Sequence, residues 1–227
     1  MKLAIVSGAT GNLGKAVVSY FLEQSYQVIG LVHTKEAKDG AREHYNEIEV
    51  DLMHEGETKA CVEYILKKYD KIDVAVLTAG GFVSGAIDKA GTEDLINQYE
   101  LNFITAYNLA RPIFIKMKSQ KSGKIFFIGS QPGMDTRKGI NNVAYSLSKS
   151  QLFQLANIFN SDAKEMDIKT YVVVPSTIDT PQNRNAMPDA DYSSWEKPEA
   201  IAKVIGHYTK SPFTDKDKTT LVIQEEM

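Results

Sequence analysis

Short apolar runs recur along the chain at 3–7, 27–32, 46–50, 73–78, 124–129, 169–174 and 219–224. Longer segments with helical periodicity separate them, near 12–24, 56–69, 92–118, 143–165 and 198–209. Most of the runs are solid with Val, Ile, Leu and Phe and do not alternate with polar residues. A strand with one wet face alternates, whereas a strand covered on both faces does not. The pattern therefore predicts an α/β fold: a doubly wound parallel sheet of about seven strands, helices on both faces, joined by right-handed crossovers. A chain of 227 residues can bury roughly 70% of its unfolded surface in one core. No repeat, low-complexity tract or linker divides it, so 1–227 reads as a single domain.

Composition narrows the function classes. Hydrophobic residues at 43% and charged residues at 24% are those of a globular protein and exclude disorder as the main state. With 26 basic against 29 acidic residues, no positive excess drives phosphate-backbone binding, so no nucleic-acid partner is expected. The single cysteine, Cys61, excludes an internal disulfide and suggests a reducing, cytoplasmic setting. Its helical neighbours Ile65 and Leu66 place it in the core. His33, His44, His54 and His207 lack metal-ligand spacing, so no metal is expected. A strand-like run starts at Leu3, without the pattern of a signal peptide. Runs such as 125–128 and 171–174 are too short to cross a bilayer, so no membrane partner is expected.

The first run leads into Ser7-Gly8-Ala9-Thr10-Gly11-Asn12-Leu13-Gly14. Three glycines between a buried strand and an amphipathic helix permit the turn. They also let a diphosphate approach the backbone N–H groups at the helix N-terminus. Dinucleotide binding is the reading, with a ligand-free tight turn as the alternative. An acidic residue after the second strand would grip a ribose 2′-OH and select NAD. Here the segment is His33-Thr34-Lys35, which suits a 2′-phosphate, so NADP is expected over NAD. A solvated loop is the other reading. After the third run, Asp51 and Leu52 would meet the adenine, unless Asp51 merely starts a helix.

Tyr145 and Lys149, four apart, share one helical face. A tyrosine with an ordinary pKa of about 10 is a poor proton donor near neutrality. A lysine one turn away and a positive nicotinamide would favour the phenolate. Ser130 closes the fifth run, at the strand edge where open α/β sheets bind ligands.

In these residues the chain resembles the short-chain dehydrogenase/reductase family. The matching pieces are Gly8, Gly11 and Gly14, the Thr78-Ala79-Gly80-Gly81 turn, Asn102, Ser130, Tyr145 with Lys149, and Pro175 to Thr180. The resemblance implies a Rossmann-type domain and hydride transfer between NAD(P) and a small carbonyl or alcohol. It implies that Tyr145 protonates the carbonyl oxygen and Ser130 hydrogen-bonds it. Lys149 would bind the nicotinamide ribose, and Asn102 would hold a relay water. Ala79, Gly80 and Gly81 would line the cofactor. The segment with Pro175, Ser176, Ile178 and Thr180 resembles the family's Pro-Gly-x-x-x-Thr stretch, with Ser176 in the glycine's place, and would meet the carboxamide. It also implies a homodimer or homotetramer through helices 92–118 and 143–165.

The stretch 176–197 is expected to cover the substrate. Its residues 179–195, with Ala79-Gly80-Gly81-Phe82, resemble dihydropteridine reductases, which reduce quinonoid dihydropterin. Arg184, Met187, Tyr192 and Trp195 are candidate substrate contacts, joined by Phe82, Gln131 and Met134. The alternative is a lid packed on the domain by Trp195. The resulting expectation is an NAD(P)-dependent oxidoreductase using a tyrosine acid/base. The alternatives are a pterin reductase and a non-catalytic NAD(P)-binding sensor.

Overall fold

In the computed structural model, which describes residues 1–35, 42–210 and 218–226, all strands lie parallel. Strands β1 (Leu3–Ser7), β2 (Gln27–Val32), β3 (Tyr45–Glu49), β4 (Val74–Leu77), β5 (Ser122–Ile128), β6 (Asp167–Val174) and β7 (Thr220–Val222) form one sheet in the order β3-β2-β1-β4-β5-β6-β7. The order reverses between β1 and β4, which opens a crevice at the strands' carboxyl ends. The helices are α1 (Asn12–Glu23), α2 (Glu55–Tyr69), α3 (Thr92–Tyr99), α4 (Thr105–Gln120), α5 (Gln131–Met134), α6 (Thr136–Gly139), α7 (Val143–Asp162), α8 (Pro181–Ala186), α9 (Pro198–Lys210) and α10 (Ile223–Glu226).

The missing alternation has a direct cause. Leu3 and Ile5 of β1 join a core with Cys61, Leu109 and Leu152, under α2, α4 and α7. Ala4 and Val6 join a second core with Val17, Phe21 and Ile205, under α1 and α9. Both faces of the strand are covered, so Leu3 to Val6 are all apolar. The same holds in β5, where Ile125 and Phe127 face one core and Phe126 and Ile128 the other.

The segment 92–118 is helical without a break, and within it a π-helical stretch, Glu100–Ile104, lies between α3 and α4. Such stretches are rare and tend to sit at functional sites; here it carries Asn102. The stretch 175–197, which follows β6, contains α8, a 3₁₀ turn at Tyr192–Ser194, and a bridge pairing Ile178 with Glu196.

Candidate active site

The site grows from the turn between β1 and α1. Gly8 has φ of +60°, a left-handed conformation that favours glycine. A Cβ on Gly14 would lie 2.1 Å from the Gly8 carbonyl oxygen, so helix and turn approach closely only because it is absent. The α1 N-terminus has no side-chain cap and no acid in its first turn. Its first N–H groups and the helix dipole therefore favour an anion.

Beside the turn, the Thr78 hydroxyl donates to the Ser7 carbonyl at 2.6 Å, and Ser7 Oγ accepts from the Ala79 N–H at 3.1 Å. These bonds join the ends of β1 and β4 across the crevice. Farther on, Asn102 is 1% exposed. Its Oδ1 accepts from the Gly81 N–H and its Nδ2 faces the Gly81 carbonyl, each at 3.0 Å. The same amide lies within 3.1 Å of Ser148 Oγ, which donates to the Tyr145 carbonyl. The side chain expected to hold a water thus grips backbone and links β4's loop to α7.

At the end of β5, Ser130 caps α5 by accepting from the Gly133 N–H at 3.1 Å. Its hydroxyl also stands close enough to the Tyr145 phenol to pull that group's pKa down. Lys149 is buried, and its Nζ donates to the Ile128 carbonyl at 2.9 Å. That amine lies 5.9 Å from the Tyr145 ring centroid. A Cβ on Gly80 would stand 3.3 Å from it, so the loop after β4 meets α7 at this point. Burial pushes the Lys149 pKa down to about 8. Burial also raises the Tyr145 pKa, against an opposing pull from the Ser130 hydroxyl. The lowering expected of Tyr145 needs a positive nicotinamide beside Lys149; in the protein alone, desolvation dominates. Phe82 packs edge-on against Tyr145, with centroids 4.9 Å apart.

The remaining candidates are spread around this centre. His33, Thr34 and Lys35 are exposed after β2. The register pairs Val32 with Glu49, whose carboxylate accepts from the Lys35 N–H at 3.1 Å. The third strand thus supplies a carboxylate where the second has none. Asp51 accepts from the Met53 N–H and opens the turn into α2, while Leu52 is buried. Asn108, unnoticed in the sequence, donates to the Leu52 and Met53 carbonyls. Gln131 and Met134 lie in α5, just past Ser130, with Gln131 bonded to Lys138.

The covering stretch is built largely on itself. Thr180 caps α8 through the Asn183 N–H, and Asn183 also bonds the Ile178 carbonyl. Arg184 makes two hydrogen bonds to Asp179, at 2.6 and 2.8 Å, and its guanidinium lies 4.5 Å from the Tyr192 ring centroid. Tyr192 meets Trp195 at 4.7 Å between centroids, and its hydroxyl donates to the Pro188 carbonyl. Arg184 is therefore engaged inside the loop, by Asp179 and Tyr192. Met187 is exposed beside it. Asn12 Nδ2 donates to Gln182 Oε1 at 2.7 Å, tying α8 back to the glycine turn.

The model of the short chain dehydrogenase family matches residues 2–191. The chain belongs to this family. It is an oxidoreductase acting on the CH–OH/C=O couple with a nicotinamide cofactor. Dehydrogenase/reductase SDR family member 6 of Xenopus laevis is 29% identical over 194 residues, which are 84% of this chain and 78% of that one. Acetoacetyl-CoA reductase of an Acinetobacter species is 27% identical over 190 residues, 79% of this chain and 75% of that one. Among solved structures, ElxO with NADP bound has a TM-score of 0.87 at 20% identity, covering 97% of this chain and 96% of that one. Ligand-free aldohexose dehydrogenase of Thermoplasma acidophilum has a TM-score of 0.82 at 24% identity, covering 97% and 91%. At these identities the two structures speak for the fold alone. The short-chain dehydrogenase's own residues fit a dinucleotide: the Gly8–Gly14 cradle would be filled by a Cβ, and the uncapped α1 N-terminus suits a diphosphate.

Proposed function

We propose that the protein reduces a small carbonyl or quinonoid substrate with NADPH, using Tyr145 as general acid/base. The carrying observation is the meeting of Ser130, Tyr145 and Lys149 at the carboxyl edge of β5: the Ser130 hydroxyl acts on the Tyr145 phenol, and the Lys149 amine, bonded to the Ile128 carbonyl, lies 5.9 Å from the Tyr145 ring centroid. A nicotinamide cofactor held there would supply the hydride. Tyr145 gives its proton to the substrate oxygen, which Ser130 also hydrogen-bonds. Lys149, desolvated and beside Gly80, holds the nicotinamide ribose. Asn102 fixes the loop at Gly81 and, with Ser148, orders the relay toward Lys149. The Gly8–Gly14 turn with Thr10, Asn12 and Leu13 takes the diphosphate. Asp51 and Leu52 face the adenine, Ala79 to Gly81 line the cofactor, and Pro175 to Thr180 meet the carboxamide. Phe82, Gln131 and Met134 wall the substrate, and 176–197 covers it with Met187, Tyr192 and Trp195.

The exposed His33, Thr34 and Lys35 favour NADP. The Glu49 carboxylate at Lys35 favours the second reading, NAD, because it would repel a 2′-phosphate. NAD in turn favours a pterin-type substrate. A homodimer or homotetramer through helices 92–118 and 143–165, which are α3 with α4 and α7, accords with exposed Ile96 and Tyr99 of α3 and Leu147 of α7, which line a groove of about 570 Å³. No helix among the described residues is long and apolar enough to cross a membrane. Burial pushes the Cys61 thiol up to about 11, which keeps it protonated and unreactive in the core. Parallel fluorescence titration with NADPH and NADH tests the cofactor assignment. NADPH should bind at least about tenfold tighter, about 1.4 kcal/mol. Preference for NADH would overturn it and make quinonoid dihydropterin the next substrate to assay.

A further inference from the structure

Glu196 is a carboxylic acid where the fold has no need of one. It is 2% exposed. Its Oε1 accepts from the Ser176 hydroxyl at 2.9 Å. Its Oε2 is buried without a hydrogen-bond partner among the described residues. Burying a half-satisfied carboxyl is costly, and an apolar side chain would pack there without that cost. The backbone around it is doubly tied. The Glu196 N–H donates to the Thr177 carbonyl at 2.9 Å, and the Asp179 N–H donates to the Glu196 carbonyl at 2.8 Å. One residue therefore joins the two ends of the loop 177–195. It does so directly after β6, on the side of the crevice where β5 delivers Ser130.

The geometry points to Glu196 as a positioning residue for the nicotinamide half of the cofactor, acting through Ser176 to hold the segment 175–180 in place. This rests on the reading that 175–180 meets the nicotinamide. The dinucleotide straddles the switch point between β1 and β4, so its adenine half lies over β1 to β3 and its reactive half over β4 to β6. Ser176 and its neighbours belong to the second half alone. Burial pushes the Glu196 carboxyl pKa up against the Ser176 hydrogen bond, which favours the neutral acid. The amide of Glu196→Gln then preserves both the shape and the acceptor for Ser176.

The test uses the reduced cofactor that binds more tightly, NADPH or NADH, beside the matching fragment without nicotinamide, 2′-phospho-ADP-ribose or ADP-ribose. Two signals are read: dissociation constants, and the emission of the reduced nicotinamide at saturation, which reports the ring's surroundings. Glu196→Ala should weaken the whole cofactor about tenfold and lose most of the emission change, while fragment binding stays within twofold. Glu196→Gln should restore both. If Glu196→Ala does not fold, Ser176→Ala must show the same selective loss. Unchanged cofactor binding and emission in these variants would overturn the proposal alone. Equal weakening of cofactor and fragment would also overturn it, leaving a purely structural residue. If the natural protein itself gave no emission change on saturation, the reading of 175–180 would fall, and the proposal with it.

Discussion

A lysine amine shut away from water is a costly cation, and Lys149 is held in that state between Ile128, Gly80 and Tyr145. Its folded pKa is about 8, against 10.5 for the free side chain. Between those values the unfolded chain binds more protons than the folded one, so this group's contribution to stability rises with pH. Below about 8 both states are charged, and the full penalty of burial is present. At 1.36 kcal/mol per unit the penalty is about 3 kcal/mol. Compared with Lys149→Met, the natural protein should therefore gain about 3 kcal/mol from pH 8 to 10.5. Urea unfolding of both proteins across that range measures it. Tyr145 titrates in both and cancels; a flat difference would show that the amine is hydrated.

At the scale of elements, the lid is a small unit standing on a few polar ties. Arg184 and Asp179 form an ion pair whose arginine side is about half exposed, so it adds little to global stability. Its role is local, since Arg184 also carries Tyr192 and through it Trp195. Asp179→Ala should speed proteolytic cleavage within 181–195 severalfold and leave the midpoint of thermal unfolding within about 2 °C. Limited proteolysis beside a melting curve checks both halves. The sequence announced much of this architecture. Strand β1 was legible because Leu3 and Ile5 feed one core and Ala4 and Val6 the other. The glycine turn was legible because its spacing is local. The π stretch at Asn102 was not, because a short widening of the helix barely disturbs the apolar periodicity of 92–118. Helix α8 carried its signal in Thr180 followed by Pro181, a cap and a first-turn proline, but the surrounding prolines read as loop. Glu49 at Lys35, Asn102 at Gly81 and Glu196 at Ser176 are side-chain contacts between distant residues. No periodicity encodes these pairs, and only the folded register brings them together.

For the whole molecule, the two-faced sheet makes a sound core, yet apolar side chains remain outside it. Ile96 is 51% exposed and Leu147 is 53% exposed, on adjoining helices around one groove. A self-associated state would cover them. Sedimentation of Leu147→Glu should show a shift toward monomer, with unfolding changed by less than about 1 kcal/mol per protomer; a natural protein already monomeric would contradict the assembly. The central claim is that Tyr145 moves the proton while the glycine turn independently holds the cofactor. The direct measurement is Tyr145→Phe beside the natural protein, assaying oxidation of NADPH or NADH by a panel of aldehydes, ketones and quinones, with cofactor titrations on the same preparations. The account predicts turnover lower by about 10²–10⁴-fold with cofactor affinity within twofold; turnover undiminished by the loss of the hydroxyl would contradict it.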